Sequence, residues 1–188
     1  MTSKTSSGFS SDKTVTAAQR LVTLLNTRPH AGHPDALVVG GEGPDAVRRQ
    51  FAENAPEMDA ADLAHVARLR DALVMTLIDD ASVEAAAAWE RVSELTGSAT
   101  VRRVFTPSGV ELHPAAGSAV LGAIADAIHD IVDADSWSRL RFCPNHKCDL
   151  AFYDTTRSRT QKWDSYETCG NKANVSAHRA RLRDSNLA

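Results

Sequence analysis

All three cysteines of this 188-residue chain lie between residues 143 and 169. This grouping constrains the possible fold of the chain more than any other feature of the sequence. A core that needs small apolar side chains would scatter its cysteines, whereas grouped cysteines are typical of metal binding or redox chemistry. An odd cysteine count with no apolar leader favours the reducing cytoplasm. Residues 1–13 are rich in Ser, Thr and Lys, and we predict that they form a flexible tail.

The spacing of the cysteines predicts a metal site. Four residues separate Cys143 from Cys148, and four residues also separate Asp164 from Cys169. Two matched pairs about fifteen residues apart outline a four-ligand zinc site in which one donor is a carboxylate. We therefore predict one structural Zn²⁺ bound by these four residues. A carboxylate oxygen is a harder donor than sulfur, so this site should bind zinc more weakly than four cysteines would.

The fourth ligand is open to alternatives at this point. His146 lies between the first two cysteines and His178 lies downstream, and either of them, or a water molecule, would replace Asp164 in the coordination shell. A further alternative is that the three thiols pack together without a metal. A loop that contains Pro144 and Asn145 is a poor core segment, which disfavours that interpretation.

The residues around the cysteines resemble the CGNR zinc-finger family, whose members carry this finger behind an N-terminal ABATE-type domain. Two positions differ from the family pattern: Asp164 replaces a cysteine, and Lys172 replaces an arginine. The lysine keeps the positive charge but lacks the planar guanidinium group that binds phosphate through two hydrogen bonds. The matching motifs are Arg141-Phe142-Cys143, Cys148, Phe152-Tyr153-Asp154, Arg157-Ser158-Arg159, Lys162-Trp163-Asp164 and Cys169-Gly170-Asn171-Lys172, with weaker N-terminal similarity at Leu24-Leu25-Asn26-Thr27 and Leu69-Arg70. The resemblance implies a bacterial, stress-induced transcription regulator that binds DNA and has a sensing N-terminal domain.

The charge distribution also favours nucleic-acid binding. Residues 137–183 carry ten Lys or Arg against four Asp or Glu, whereas residues 1–136 carry eleven against nineteen. An acidic body with a basic surface is typical of proteins that contact polyanions. RNA is the alternative nucleic acid, and a metal-stabilised adaptor that binds a protein, as a monomer or homodimer, is the alternative function. The predicted phosphate-contacting residues are Arg157, Arg159, Lys162, Lys172, Arg179, Arg181 and Arg183.

Hydrophobic periodicity predicts a mainly α fold with a small β-hairpin. We expect a helical, ligand-sensing domain over residues 14–136 and a treble-clef or ribbon-like zinc finger with a basic C-terminal helix over residues 137–188. The predicted helices cover residues 14–28, 45–53, 59–80, 82–97 and 117–135, with a final helix over 170–183, and the predicted hairpin pairs 101–106 with 110–113.

Two polar residues on otherwise apolar helices, Asn26 and Arg70, are candidate ligands for a small acidic effector. The alternative is that Asn26 caps its helix and Arg70 forms a surface ion pair with Asp71 or Glu53.

Motifs of deaminases, zinc proteases, P-loop proteins and serine hydrolases do not occur, and four protein donors would leave zinc no open position. We therefore expect no enzymatic activity. No run approaches the roughly 20 apolar residues of a membrane span, so no membrane partner is expected.

Overall fold

The computed structural model describes residues 12–78, 82–172 and 174–175, and these residues form a helical body followed by a small two-stranded unit. The predicted mainly helical fold with a hairpin and a compact C-terminal finger is confirmed. The principal helices are α1 (Asp12–Leu25), α2 (Glu42–Phe51), α3 (Ala60–Ile78), α4 (Val83–Thr96) and α5 (Ala119–Asp133). The strands are β1 (Thr100–Thr106), β2 (Gly109–Ala116), β3 (Leu140–Phe142) and β4 (Ala151–Tyr153), paired antiparallel as β1–β2 and β3–β4.

Side-chain caps fix the starts of three helices. The Ser82 hydroxyl accepts a hydrogen bond from the Ala85 amide at 3.0 Å, as its position before α4 predicts. The Asp59 carboxylate accepts from the Asp62 amide at 2.8 Å at the start of α3, and Ser118 caps α5 in the same way. Each cap satisfies an amide that has no partner within its helix, and is worth about 1 kcal/mol.

The core lies where α1 packs against α5, α2 and α3, and α4 packs mainly against α3. Apolar residues spaced three or four positions apart give each helix one buried face. In the described part of the chain, no helix is long and apolar enough to cross a membrane. The fully buried apolar side chains include Leu21, Leu24, Val47, Val66, Leu69, Leu73, Ile124 and Ile131.

The same core continues into the finger. Leu140 at the start of β3 and Ala151 and Tyr153 on β4 are buried among the core residues of the helices, and β4 lies against α1. The helical body therefore holds the two finger strands directly. The division into domains at residues 136–137 stays a prediction.

The β1–β2 hairpin projects from this body. Most of β1 is exposed, and Phe105, which pairs with Val110 near the turn, is 79% exposed. Gly109 adopts a φ of 149° in the turn, a conformation that favours glycine. The hairpin lies in the sequence interval where the turn residues predicted it.

Candidate metal centre

The first pair of candidate ligands is presented by a tight turn between β3 and β4. The Cys143 amide donates to the Leu150 carbonyl at 2.8 Å, which closes the base of the turn. Within it, the Cys148 amide donates to the Asn145 carbonyl at 2.7 Å, and the Asn145 side chain accepts from the Lys147 amide at 3.1 Å. The four-residue spacing therefore forms a compact loop that turns both sulfurs to the same side.

The second pair is presented by a short π-helical turn, Tyr166–Gly170, which begins directly after Asp164 and Ser165. The Ser165 hydroxyl accepts from the Thr168 amide, and the Ser165 carbonyl accepts from the amides of Cys169 and Gly170 at 3.0 and 3.2 Å. A side chain at Gly170 would lie 2.7 Å from the Tyr166 ring. A larger residue there would require the exposed Tyr166 ring to move, so glycine suits the turn that brings Cys169 back beside Asp164.

The two turns bring four donors together. The ligand atoms of Cys143, Cys148, Asp164 and Cys169 all lie within 4.8 Å of one another, and the residues are buried or half-buried. In a tetrahedral site with Zn–S distances of about 2.3 Å, neighbouring sulfurs lie about 3.8 Å apart. The cluster therefore fits one structural Zn²⁺.

The Asp164 carboxylate supports a cation at this position independently. Its Oδ1 atom is buried and has no hydrogen-bond partner among the described residues. A buried carboxylate oxygen normally has a hydrogen-bond donor or a metal beside it. Three thiols and this oxygen are a donor set that zinc accepts.

The electrostatics of the cluster fit the same interpretation. Burial raises the pKa of Cys148 to about 12, with further increases from the neighbouring thiols of Cys169 and Cys143. Burial opposes ionisation of Asp164 as well, but the neighbouring thiols of Cys143 and Cys169 prevail and lower its pKa. The raised pKa of Cys148 keeps its thiol protonated in the absence of a metal, and a divalent cation at the centre of the cluster would stabilise the thiolate form.

Two polar groups surround the Cys169 sulfur. The Asn145 side-chain amide donates to it at 3.3 Å, and the Thr168 hydroxyl donates at 3.8 Å. Such donors orient a metal-binding sulfur and offset its negative charge. Sequence reasoning did not find these two residues, although both lie within the four-residue intervals that predicted the ligands.

The structure separates the alternatives for the fourth ligand. Asp164 lies inside the cluster, whereas His146 is exposed on the first turn and is not one of the clustered residues. His178 lies outside the described residues. The geometry therefore favours Asp164 as the fourth donor.

The predicted phosphate-contacting residues fall into two groups. Arg157, Arg159, Lys162 and Lys172 are all exposed on the finger. The first three lie on the segment after β4, residues 155–162, which we call the basic loop. The predicted final helix reaches beyond the described residues, and Arg179, Arg181 and Arg183 lie outside them.

A buried carboxylate organises the basic loop. Asp154 at the end of β4 is fully buried and accepts hydrogen bonds from the amides of Thr156 and Gln161 at 2.8 and 3.0 Å. Burial opposes its ionisation, but these bonds and the nearby Arg141 charge prevail and lower its pKa. Arg139 donates to the carbonyls of Asp154 and Thr156, both at 2.8 Å. Arg139 and Arg141 thus brace the loop from inside.

Asn26 and Arg70 do not converge on a common ligand position. The Asn26 side chain is hydrogen-bonded to the backbone of Ala151, and Arg70 is buried in an ion pair with Asp35 at 2.8 Å and a second with Asp71. The pairing with Asp71 was the alternative considered from sequence, but Arg70 is 2% exposed rather than on the surface. Effector binding by Asn26 and Arg70 stays a prediction.

The two-stranded unit and its cysteine-rich cluster define a zinc finger joined to a helical body. Residues 139–182 match the family model of the CGNR zinc finger, so the resemblance found in the sequence is confirmed for this part of the chain. Comparison of the chain with curated proteins gives no match.

Proposed function

We propose that this protein is a transcription regulator that binds DNA through its finger. The observation that carries the proposal is the basic loop, which presents Arg157, Arg159 and Lys162 to solvent on a braced backbone. In the described part of the chain, no carboxylate forms an ion pair with any of these three side chains. Their other contacts are weak: Arg159 donates to the Asp135 carbonyl at 3.5 Å, and the Lys162 ammonium lies 5.3 Å from the centre of the Trp163 ring. Phosphates would therefore not have to displace a bound carboxylate.

The internal bracing supports this role. Because Asp154 holds the loop amides and Arg139 holds its carbonyls, the loop needs little further ordering when it binds. Preorganised contacts lose less conformational entropy on association. The Arg141 guanidinium donates hydrogen bonds to the carbonyls of Gln161 and Arg159. Arg141 therefore supports the loop and is not proposed as a phosphate contact.

The metal in this proposal is structural. Three thiolates and one carboxylate complete a tetrahedral shell, so no position remains for a reacting water. The zinc would cross-link the turn after β3 to the π-helical turn that directly precedes Asn171 and Lys172. We propose no enzymatic activity for this centre.

The helical body is proposed to be an ABATE-type sensing domain. Its α1 ends at the finger, where Asn26 contacts β4, so a ligand that shifts α1 would shift the finger. This arrangement supports a regulator in which effector binding and DNA binding are coupled. Cytoplasmic location, bacterial origin and assembly as a homodimer belong to the same proposal.

Anisotropy of a labelled mixed-sequence DNA duplex, titrated with the full chain between 50 and 200 mM salt, tests the proposal. Four phosphate contacts predict a slope of log K against log salt of roughly −3.6. Arg157→Gln should reduce the magnitude of this slope by about 1. Arg49→Gln, an exposed arginine on α2, is the matched control and should leave the slope unchanged.

No binding at 50 mM salt, or equal slopes for the two variants and the wild type, would remove the DNA proposal. Tighter binding to single-stranded RNA of the same length would replace DNA with RNA. A finger that binds neither nucleic acid would favour the adaptor function.

A further inference from the structure

A cavity of about 670 Å³, partly open to solvent, lies between the zinc-finger turn and the segment after α1. Its volume is in the range of small-molecule sites, about 300–1,000 Å³. One wall carries His30 and His33 from the helical body, and the opposite wall carries His146, Lys147 and Lys172 from the finger. The cavity thus joins two parts of the chain that are distant in sequence.

The wall from the helical body is a tight turn that pairs two imidazoles. The amide of His33 donates to the carbonyl of His30 at 2.7 Å, and the reverse bond is 3.2 Å. Ala31 and Gly32 between them adopt φ values of 46° and 87°. The two rings lie 5.3 Å apart, and the Nδ1 atom of His30 lies 2.7 Å from the Arg28 carbonyl, which fixes that ring.

The finger wall is cationic. Lys147 and Lys172 are exposed, and within the described ranges neither side chain has an ion-pair partner. The single carboxylate among the lining residues is Asp164, which belongs to the metal cluster. Zinc would offset two of the four negative charges of the cluster, and the two lysines offset the other two, so their ammonium groups and the histidine ring N–H groups are the donors that would hold an anion there.

The cavity also has an apolar part. Trp163, Pro144 and Leu150 line it together with the polar groups. An indole ring favours planar ligand groups by stacking, while the two lysines favour an oxyanion. Sites that combine a few polar anchors with apolar walls are typical of small organic ligands.

We propose that this cavity binds a small organic oxyanion, with its phosphate or carboxylate held between Lys147, Lys172 and the histidines and its planar body against Trp163. The cavity shares Lys172 with the proposed DNA surface, but the basic loop residues Arg157 and Arg159 do not line it, so the two kinds of binding can be tested separately. A ligand there would touch the helical body and the finger at once, which makes it an effector position distinct from Asn26 and Arg70.

Calorimetry with the zinc-loaded full chain tests the proposal, using adenosine 5′-monophosphate, inorganic phosphate, benzoate and, as the uncharged control, adenosine. We expect saturable one-to-one binding of at least one of the two ring-bearing anions and much weaker binding of adenosine. Comparison of the monophosphate with benzoate distinguishes phosphate from carboxylate as the favoured anion. Quenching of tryptophan fluorescence that disappears in Trp163→Phe would place the planar group.

Matched variants separate this site from the basic loop. Lys147→Gln with Lys172→Gln, and separately His33→Ala, should each weaken binding about tenfold, in line with the loss of a charge-assisted hydrogen bond. His33 is remote in sequence from the metal ligands, so zinc content should not change in that variant. Arg157→Gln should weaken DNA binding and leave the affinity for the small anion unchanged.

Two results would overturn the proposal: no binding of any of the three anions at millimolar concentration, or binding that both cavity variants leave intact. Anion binding that is lost in Arg157→Gln would assign it to the basic loop and would overturn the proposal equally.

Discussion

The side-chain amide of Asn26 forms two hydrogen bonds with the backbone of Ala151, 125 residues further along the chain. Asn26 Oδ1 accepts from the Ala151 amide at 2.7 Å, and Nδ2 donates to the Ala151 carbonyl at 3.1 Å. Ala151 pairs on its other side with Phe142 of β3. The amide group of Asn26 therefore takes the place that a third strand would have and joins the helical body to the finger.

Asn26→Ala should lower the free energy of unfolding by about 1–3 kcal/mol, since both polar groups of the Ala151 backbone would be left without a partner. Asn26→Asp should also destabilise, because a carboxylate accepts from the amide but repels the carbonyl. Urea unfolding followed by circular dichroism measures the change. Asn54→Ala, at an exposed asparagine after α2, is the matched control. Its free energy of unfolding should stay within about 0.5 kcal/mol of the wild-type value, as is usual for surface sites. Equal stability of Asn26→Ala and wild type would show that this contact does not hold the two parts together.

Zinc affinity should depend on which side chain occupies position 164. Asp164→Cys should tighten zinc binding and Asp164→Ala should weaken it, because thiolate is a softer donor than carboxylate and alanine offers none. Competition against a chromogenic chelator at constant pH measures both. His146→Ala should leave the affinity unchanged, since His146 lies outside the cluster. A loss of zinc in His146→Ala together with an unchanged affinity in Asp164→Ala would assign the fourth position to the histidine.

Asp154 couples finger stability to the basic loop. Asp154→Ala removes the acceptor for two loop amides and leaves them partly buried without a partner, so the unfolding free energy should fall by about 2 kcal/mol. DNA affinity should fall as well, because the loop loses its fixed shape. Asp133→Ala at the exposed end of α5 is the control, and neither quantity should change. Reduced stability with unchanged DNA affinity would remove the loop from the binding surface.

The Arg70–Asp35 ion pair predicts a pH-dependent contribution to stability. A hydrogen bond from Arg70 lowers the pKa of Asp35, although burial opposes this. A carboxyl with a lowered folded-state pKa stabilises the protein fully above its unfolded value, about 3.9, and loses that contribution as the pH falls through the lowered pKa. Asp35→Asn should therefore cost about 1 kcal/mol at pH 7, since solvent screens the partly exposed carboxylate and Asp71 still pairs with Arg70.

Denaturant unfolding of wild type and Asp35→Asn between pH 7 and pH 3 tests that pair. The difference between the two proteins should be constant down to about pH 4 and then shrink. Loss of zinc in acid affects both proteins alike and cancels in the difference. A difference that grows as the pH falls would contradict the assignment.

Local patterns predicted much of this fold. The helical periodicity of α1, α3 and α5 and the caps at Asp59 and Ser82 depend on neighbouring residues, and the structure has them within a few positions of the predicted bounds. The metal quartet was also predictable, because equal spacing of two residue pairs is a local feature.

Contacts between distant residues were not predictable in the same way. Asn26 was interpreted as a helix cap or an effector ligand because its partner, the Ala151 backbone, carries no side-chain signal. Arg70 was interpreted as an effector ligand or as a surface residue paired with Asp71 or Glu53, since nothing near it in sequence shows that Asp35 lies beside it. The cavity walls at His30 and Lys147 likewise meet only after the chain has folded.

The most direct test of the account is the metal content of the purified full chain, measured by native mass spectrometry and elemental analysis. One zinc per chain is predicted for the wild type and for His146→Ala, with none retained in Cys148→Ser. A folded wild-type protein that carries no zinc, and takes up none when zinc is supplied under reducing conditions, would contradict a finger built around Cys143, Cys148, Asp164 and Cys169.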